Sequence, residues 1–210
     1  MDFIFILLGV LIILALFDVG SFIYNKMGVH HFAVAGFLLA LLLLLFVPDI
    51  KLNSFTISVA GFILPLIICF KFFPKLRSRR RISAFIVSLL IILTSVLLYK
   101  LVDFSTFEYS LIKPYMPLSI VLGLITYLIC RRSSVSFLAL FFGLNLGEIL
   151  FYQIKYSGDF VLVLGSRELL TAFIISLLTS LICEGVYGAH VKRKKVKYEK
   201  KLERLKTIEK

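Results

Sequence analysis

Seven stretches of this sequence are almost unbroken runs of apolar residues, each roughly 20 long, and nothing else constrains the chain as strongly. An α-helix rises about 1.5 Å per residue, so about 20 such residues cross the roughly 30 Å hydrocarbon core of a bilayer. Only helices and closed barrels satisfy their backbone polar groups in lipid. These runs are continuous rather than alternating, which points to helices. The expected spans are 3–24, 30–47, 53–73, 82–101, 115–131, 133–154 and 168–190. Pro65 is expected to kink the third, and Pro114 and Pro117 to open the fifth. The fold class is therefore all-α, a polytopic integral membrane protein of about seven transmembrane helices.

Composition agrees. Residues are 60% hydrophobic and 17% charged, with a mean hydropathy of +1.01. Soluble domains run near half apolar and a quarter charged. A soluble enzyme, a disordered chain and a disulfide-stapled secreted domain are all excluded. Cys69, Cys130 and Cys183 each lie inside an apolar run and read as small hydrophobes. The Met1-Asp2-Phe3 start has no basic segment, so the first run is expected to stay as a span rather than leave as a signal peptide.

Charge sets the topology. With the C-terminus inside and sides alternating, 19 of the 24 Lys and Arg fall on the cytoplasmic side. They are Lys26, the cluster at 71–81 that includes Arg79, Arg80 and Arg81, Arg131, Arg132 and ten in the tail. Five, at Lys51, Lys100, Lys113, Lys155 and Arg167, fall outside. This is the positive-inside bias. The expectation is N-terminus out, C-terminus in, with a transmembrane domain over 1–191 and a cytoplasmic tail over 192–210. The net charge of +12 finds its explanation at anionic lipid headgroups beside Arg79–Arg81 and Lys192, Arg193, Lys194 and Lys195, not in nucleic acid.

In the tail, Tyr198, Leu202 and Leu205 share one helical face, and Glu199 and Glu203 are spaced to pair with neighbouring bases. That pattern suits a helix lying on anionic lipid, or a docking helix for a cytoplasmic partner. The outer loop 102–114, with Phe104, Phe107, Leu111 and Ile112, suits a short interfacial helix.

Ionisable groups inside spans are costly, so they are the first candidates for function. Glu148 leads. Asn145 and Tyr152 share its helix face, and Gly143 and Gly147 form a G-x-x-x-G that admits a close helix neighbour. The set reads either as an interhelical hydrogen-bond clamp or as a carboxylate on a substrate or ion pathway. Glu184 comes second, beside the small pair Gly185 and Ala189. Asp18 is placed inside the first span, near its cytoplasmic end. His30, His31 and His190 fall at the same boundary and are weak candidates for metal; adjacent in sequence, His30 and His31 would diverge by about 100° on a helix. Ser166 is a candidate N-cap for the last helix and Glu168 suits its positive end.

Sequence patterns for enzymes are missing: no G-x-S-x-G, no H-E-x-x-H, no P-loop. The last span has no lysine for a retinal Schiff base. Nothing calls for a cofactor. Short loops and a Lys-rich tail give the look of a small bacterial inner-membrane protein in the cytoplasmic membrane. The leading expectation is a non-enzymatic protein that packs with or organises membrane partners, or forms a homo-oligomer. The alternatives are an ion-coupled or small-solute transporter using Glu148 and Asn145, and a lipid-directed enzyme at the cytoplasmic interface.

Overall fold

A computed structural model describes residues 3–18, 30–52, 55–101, 115–155 and 162–208. The described residues form seven α-helices: α1 (Phe3–Leu16), α2 (His31–Leu44), α3 (Leu64–Phe72), α4 (Ser78–Leu101), α5 (Tyr115–Cys130), α6 (Ser133–Lys155) and α7 (Arg167–Ile208). Three short strands, β1 (Ile50–Leu52), β2 (Phe55–Ile57) and β3 (Leu162–Leu164), form one small sheet. Three helices, over Ser78–Leu97, Ser134–Phe151 and Arg167–Val191, are long and apolar enough to cross a membrane by themselves; the other four are shorter and apolar.

The helices pair by their small residues. α4 packs along α6, where a Cβ on Gly143 would lie 2.7 Å from the Ile91 side chain and one on Gly147 would lie 3.1 Å from that of Ser95. The Ser88 hydroxyl lies 2.8 Å from the Ala84 carbonyl and 3.3 Å from the Ala139 carbonyl across the interface. α5 packs along α7 in the same way: Gly123 sits against the Ser176 backbone, and Ser176 donates to the Ser119 carbonyl at 2.8 Å. The Ser180 hydroxyl joins α7 to α6 through Ser136, at 3.0 Å. Between helices in lipid there is little hydrophobic drive, so close backbone approach and such bonds do the holding. Ser176→Ala is expected to lower unfolding free energy by about 0.6 kcal/mol and by no more than about 1.7, the range for such bonds in membranes. A chemical-denaturation comparison in mixed micelles checks it.

Three threonine hydroxyls bond back along their own helices. Thr126 donates to Leu122 (2.6 Å), Thr171 to Arg167 (2.7 Å) and Thr179 to Ile175 (2.9 Å). This back-bonding lets Thr sit in an apolar span without an unmet donor. The core centres on α6, where Phe137 and Phe141 meet Phe173 edge-on at 5.2 and 6.3 Å. Outward, Phe70 and Leu128 are 70% and 68% exposed. Patches of that kind are a liability in water and the normal face of a helix in lipid.

Several boundaries differ from the expected spans: α1 ends at Leu16 rather than 24, and α4 begins at Ser78 rather than 82. The third helical run begins at Val59, not 53, because Phe55-Thr56-Ile57 is strand. β2 pairs antiparallel with β1 (Lys51 opposite Thr56) and parallel with β3 (Thr56 opposite Val163). Aromatic and β-branched residues favour this pleated arrangement. The expected kink at Pro65 takes the form of a wide π-helical turn, Val59–Ile63, leading into α3. Pro65 has no amide hydrogen for the Gly61 carbonyl and its ring needs room there; a wider turn supplies that room. The Ser58 hydroxyl caps the turn, accepting from the Gly61 amide at 3.2 Å.

α7 continues past the end of the expected seventh span. It runs unbroken for 42 residues, through the position where the tail was expected to begin.

Candidate functional site

Glu148 lies near the C-terminal end of the α6 span and is 7% exposed. Its partner is the N-terminus of α7. Ser166 donates its hydroxyl to Glu148 Oε1 at 3.2 Å and accepts from the Leu169 amide at 3.2 Å, so one side chain caps α7 and holds the carboxyl group. The positive end of the α7 dipole is a favourable place for a carboxylate. Ser166 is thus the N-cap that its position suggested.

The loop that presents Ser166 is fixed from the other side. The Ser58 amide donates to the Leu164 carbonyl at 3.0 Å, extending the sheet by one bond. Next comes Gly165, with φ +71°, pressed against Gly61 so closely that a Cβ on Gly61 would fall 2.0 Å from the Gly165 carbonyl oxygen. A positive φ and a backbone-to-backbone contact both call for glycine. Above Gly61, Phe62 lies against Phe141, with centroids 5.6 Å apart. The π-helical turn therefore braces the β3–α7 loop and packs on α6 at Phe141, and the loop reaches Glu148 through Ser166.

Asn145 is on that α6 face and is 5% exposed. Its amide nitrogen donates to the Phe141 carbonyl at 2.8 Å. Among the described residues, Asn145 Oδ1, Glu148 Oε2 and Ser95 Oγ are buried without a hydrogen-bond partner. Flipping the Asn145 amide would bring two carbonyl oxygens together at Phe141, so the amide has one sensible orientation. A buried acceptor left unmade costs about 1–3 kcal/mol, and this site carries two on one helix face.

The other candidates scatter. Gly143 and Gly147 are spent within the chain, against α4, not on a free surface. Gly185 is buried while Ala189 is exposed. Asp18 is not inside a helix: it follows α1 in a left-handed turn at φ +55°, and its carboxylate lies 3.7 Å from His31 Nδ1. His30 and His31 do not diverge. Their rings stack at 4.3 Å, because His30 is the extended N-cap of α2 (ψ 144°) rather than a helical residue. His190 is exposed. Among the described residues no three His, Cys, Asp or Glu side chains group to hold a metal ion.

Arg79 is exposed at the start of α4, while Arg81 bonds the Pro74 carbonyl at 3.1 Å and lies over the Phe73 ring at 4.9 Å. The side chains of Tyr152, Lys192, Arg193, Lys194 and Lys195, and the whole 102–114 loop, lie outside the described residues. An apolar cavity of about 170 Å³, lined by Leu66, Cys69, Phe70, Phe73 and Phe142, opens between α3 and α6 and offers no polar group.

Apolar helices joined through small residues, with polar side chains turned inward, define an α-helical integral membrane protein. The chain belongs to the YphA-like integral membrane protein family, whose model matches residues 3–207. No curated protein and no solved structure matches it.

Proposed function

We propose that this chain is a seven-span protein of the bacterial cytoplasmic membrane, N-terminus out and C-terminus in, that works without catalysis by presenting a basic helix to a cytoplasmic partner. The unbroken length of α7 carries this reading. Forty-two helical residues measure about 63 Å, twice the roughly 30 Å of hydrocarbon. The 17 residues beyond Val191 extend about 26 Å further. A tail lying flat on lipid needs a break where the helix leaves the membrane, and α7 has none there. A rigid basic extension suits an acidic partner surface, while Arg79 and Arg80 remain for anionic headgroups. Use of Gly143 and Gly147 inside the bundle moves partner contact away from that face and towards the tail.

The enzyme alternative needs His30, His190, Asp18 and Glu184 to converge, and the described residues group no three of them. The transport alternative keeps one specific support, the unmet oxygens of Glu148 and Asn145.

Photo-crosslinking in cells from position 198 or 202 tests the proposal. The expected result is a discrete protein adduct, lost when Lys194 and Lys195 are changed to Glu. Adducts to phospholipid alone would place the tail on the membrane and overturn it.

A further inference from the structure

We propose that Glu148 and Asn145 form a binding site for a monovalent hard cation of the sodium type, at the end of the α6 span where the β3–α7 loop closes over it. The site is independent of the tail reading.

Two oxygens carry the inference. Glu148 Oε2 and Asn145 Oδ1 are both acceptors, both in side chains more than nine-tenths buried, and both unpartnered. Spacing of i, i+3 sets their Cβ atoms about 5–6 Å apart on one helix face, so one ion can lie between them. Each residue's other polar atom is committed elsewhere: Glu148 Oε1 to Ser166 and Asn145 Nδ2 to Phe141. Those bonds fix both side chains and leave the two free oxygens as the part of the site that lacks a positive group.

Chemistry narrows the occupant. Carboxylate and amide oxygens are hard donors, which suit alkali and alkaline-earth ions over soft metals. Charge selects between these. The carboxylate brings one negative charge, and the α7 N-terminus contributes about half a positive one. One monovalent ion matches the charge of the carboxylate itself and leaves only the partial charge of the helix end. A divalent ion would leave excess charge in a low-dielectric setting, where it is expensive.

The surroundings fit as well. Non-helical backbone at membrane depth is tolerated where it is enclosed by protein or lines a polar site. Here the loop that carries a glycine at positive φ and the N-cap Ser166 encloses the carboxyl group.

The test uses the full chain purified in micelles at fixed pH. Thermal unfolding is followed by a thiol-reactive fluorogenic dye reaching buried Cys69. Sodium chloride is titrated against choline chloride at constant ionic strength. Wild type is expected to show a saturable rise in Tm of several degrees at about one hundred times the Kd. Glu148→Gln is expected to abolish the rise, and Asn145→Ala to raise the apparent Kd about tenfold or more, the effect of losing one of few ligands. Ser119→Ala, on the α5–α7 seam, should leave it intact.

No sodium-dependent rise in wild type overturns the site. So does a rise that persists unchanged in Asn145→Ala, which decides the matter if Glu148→Gln fails to accumulate. Stabilisation that follows pH and ignores sodium also overturns it, and assigns the missing positive group to a proton on Glu148.

Discussion

Gly61→Ala is expected to remove most of the folded protein from the membrane. The new methyl would lie 2.0 Å from the Gly165 carbonyl oxygen and 2.7 Å from its carbon. Overpacking usually costs about 1–3 kcal/mol when side chains can shift. Here the obstacle is backbone, held by the Ser58–Leu164 bond and by a left-handed Gly165, so about 3 kcal/mol or more is expected. Against a total stability of about 5–15 kcal/mol that loss is large. Blotting of the membrane fraction and the melting temperature of what remains read the effect. Gly9→Ala is the control. A Cβ there meets nothing within 4 Å, so alanine's better helix propensity makes it neutral or slightly stabilising. Equal damage from both substitutions would show that the contact at Gly61 does not hold the loop.

Phe141→Ala is expected to be the most damaging truncation of a core side chain. The ring is 2% exposed and touches Phe62 at 5.6 Å, Phe173 at 6.3 Å and Phe142 at 5.3 Å. It therefore joins the π-helical turn, α6 and α7 at one point. Truncating such a residue costs about 3–5 kcal/mol in soluble proteins, partly from lost transfer energy and partly from the cavity. In a bilayer the transfer part shrinks, since lipid is also apolar, and the packing part remains. A loss of about 3 kcal/mol is expected for Phe141 and well under 1 kcal/mol for Phe142, which is 39% exposed. Denaturation of the two variants side by side settles the ranking; a larger loss from Phe142→Ala would move the core off this face.

Helices were the most legible part of the sequence. α5 and α6 lie within a residue of the expected 115–131 and 133–154, because their apolar runs end at Pro114, Arg131 and Lys155 with nothing competing. The small sheet was harder to see. Phe55-Thr56-Ile57 and Leu162-Val163-Leu164 are too short for periodicity to separate from an apolar helix, and their pairing joins segments more than 100 residues apart. Clues existed in the β-branched residues and in Gly165-Ser166 just after the second strand. At the candidate site, Glu148 and Asn145 stood out because charge and amide are rare in spans. Ser166 was readable only as a helix cap. That it also holds Glu148 depends on how the β3–α7 loop folds back, which is tertiary information. His30 and His31 show the reverse case: helical geometry predicts divergence, but a cap residue is extended, and one dihedral angle stacks the rings.

The continuity of α7 makes it a lever. Its first turn is tied to Glu148 through Ser166, and its last turn stands about 63 Å away with no proline between to act as a hinge. Tilting a rod of that length by about 5° about one end displaces the other by roughly 5 Å. A change of a few tenths of an ångström where Ser166 meets Glu148 is therefore magnified at the basic end, and the two halves of the molecule share one mechanical element.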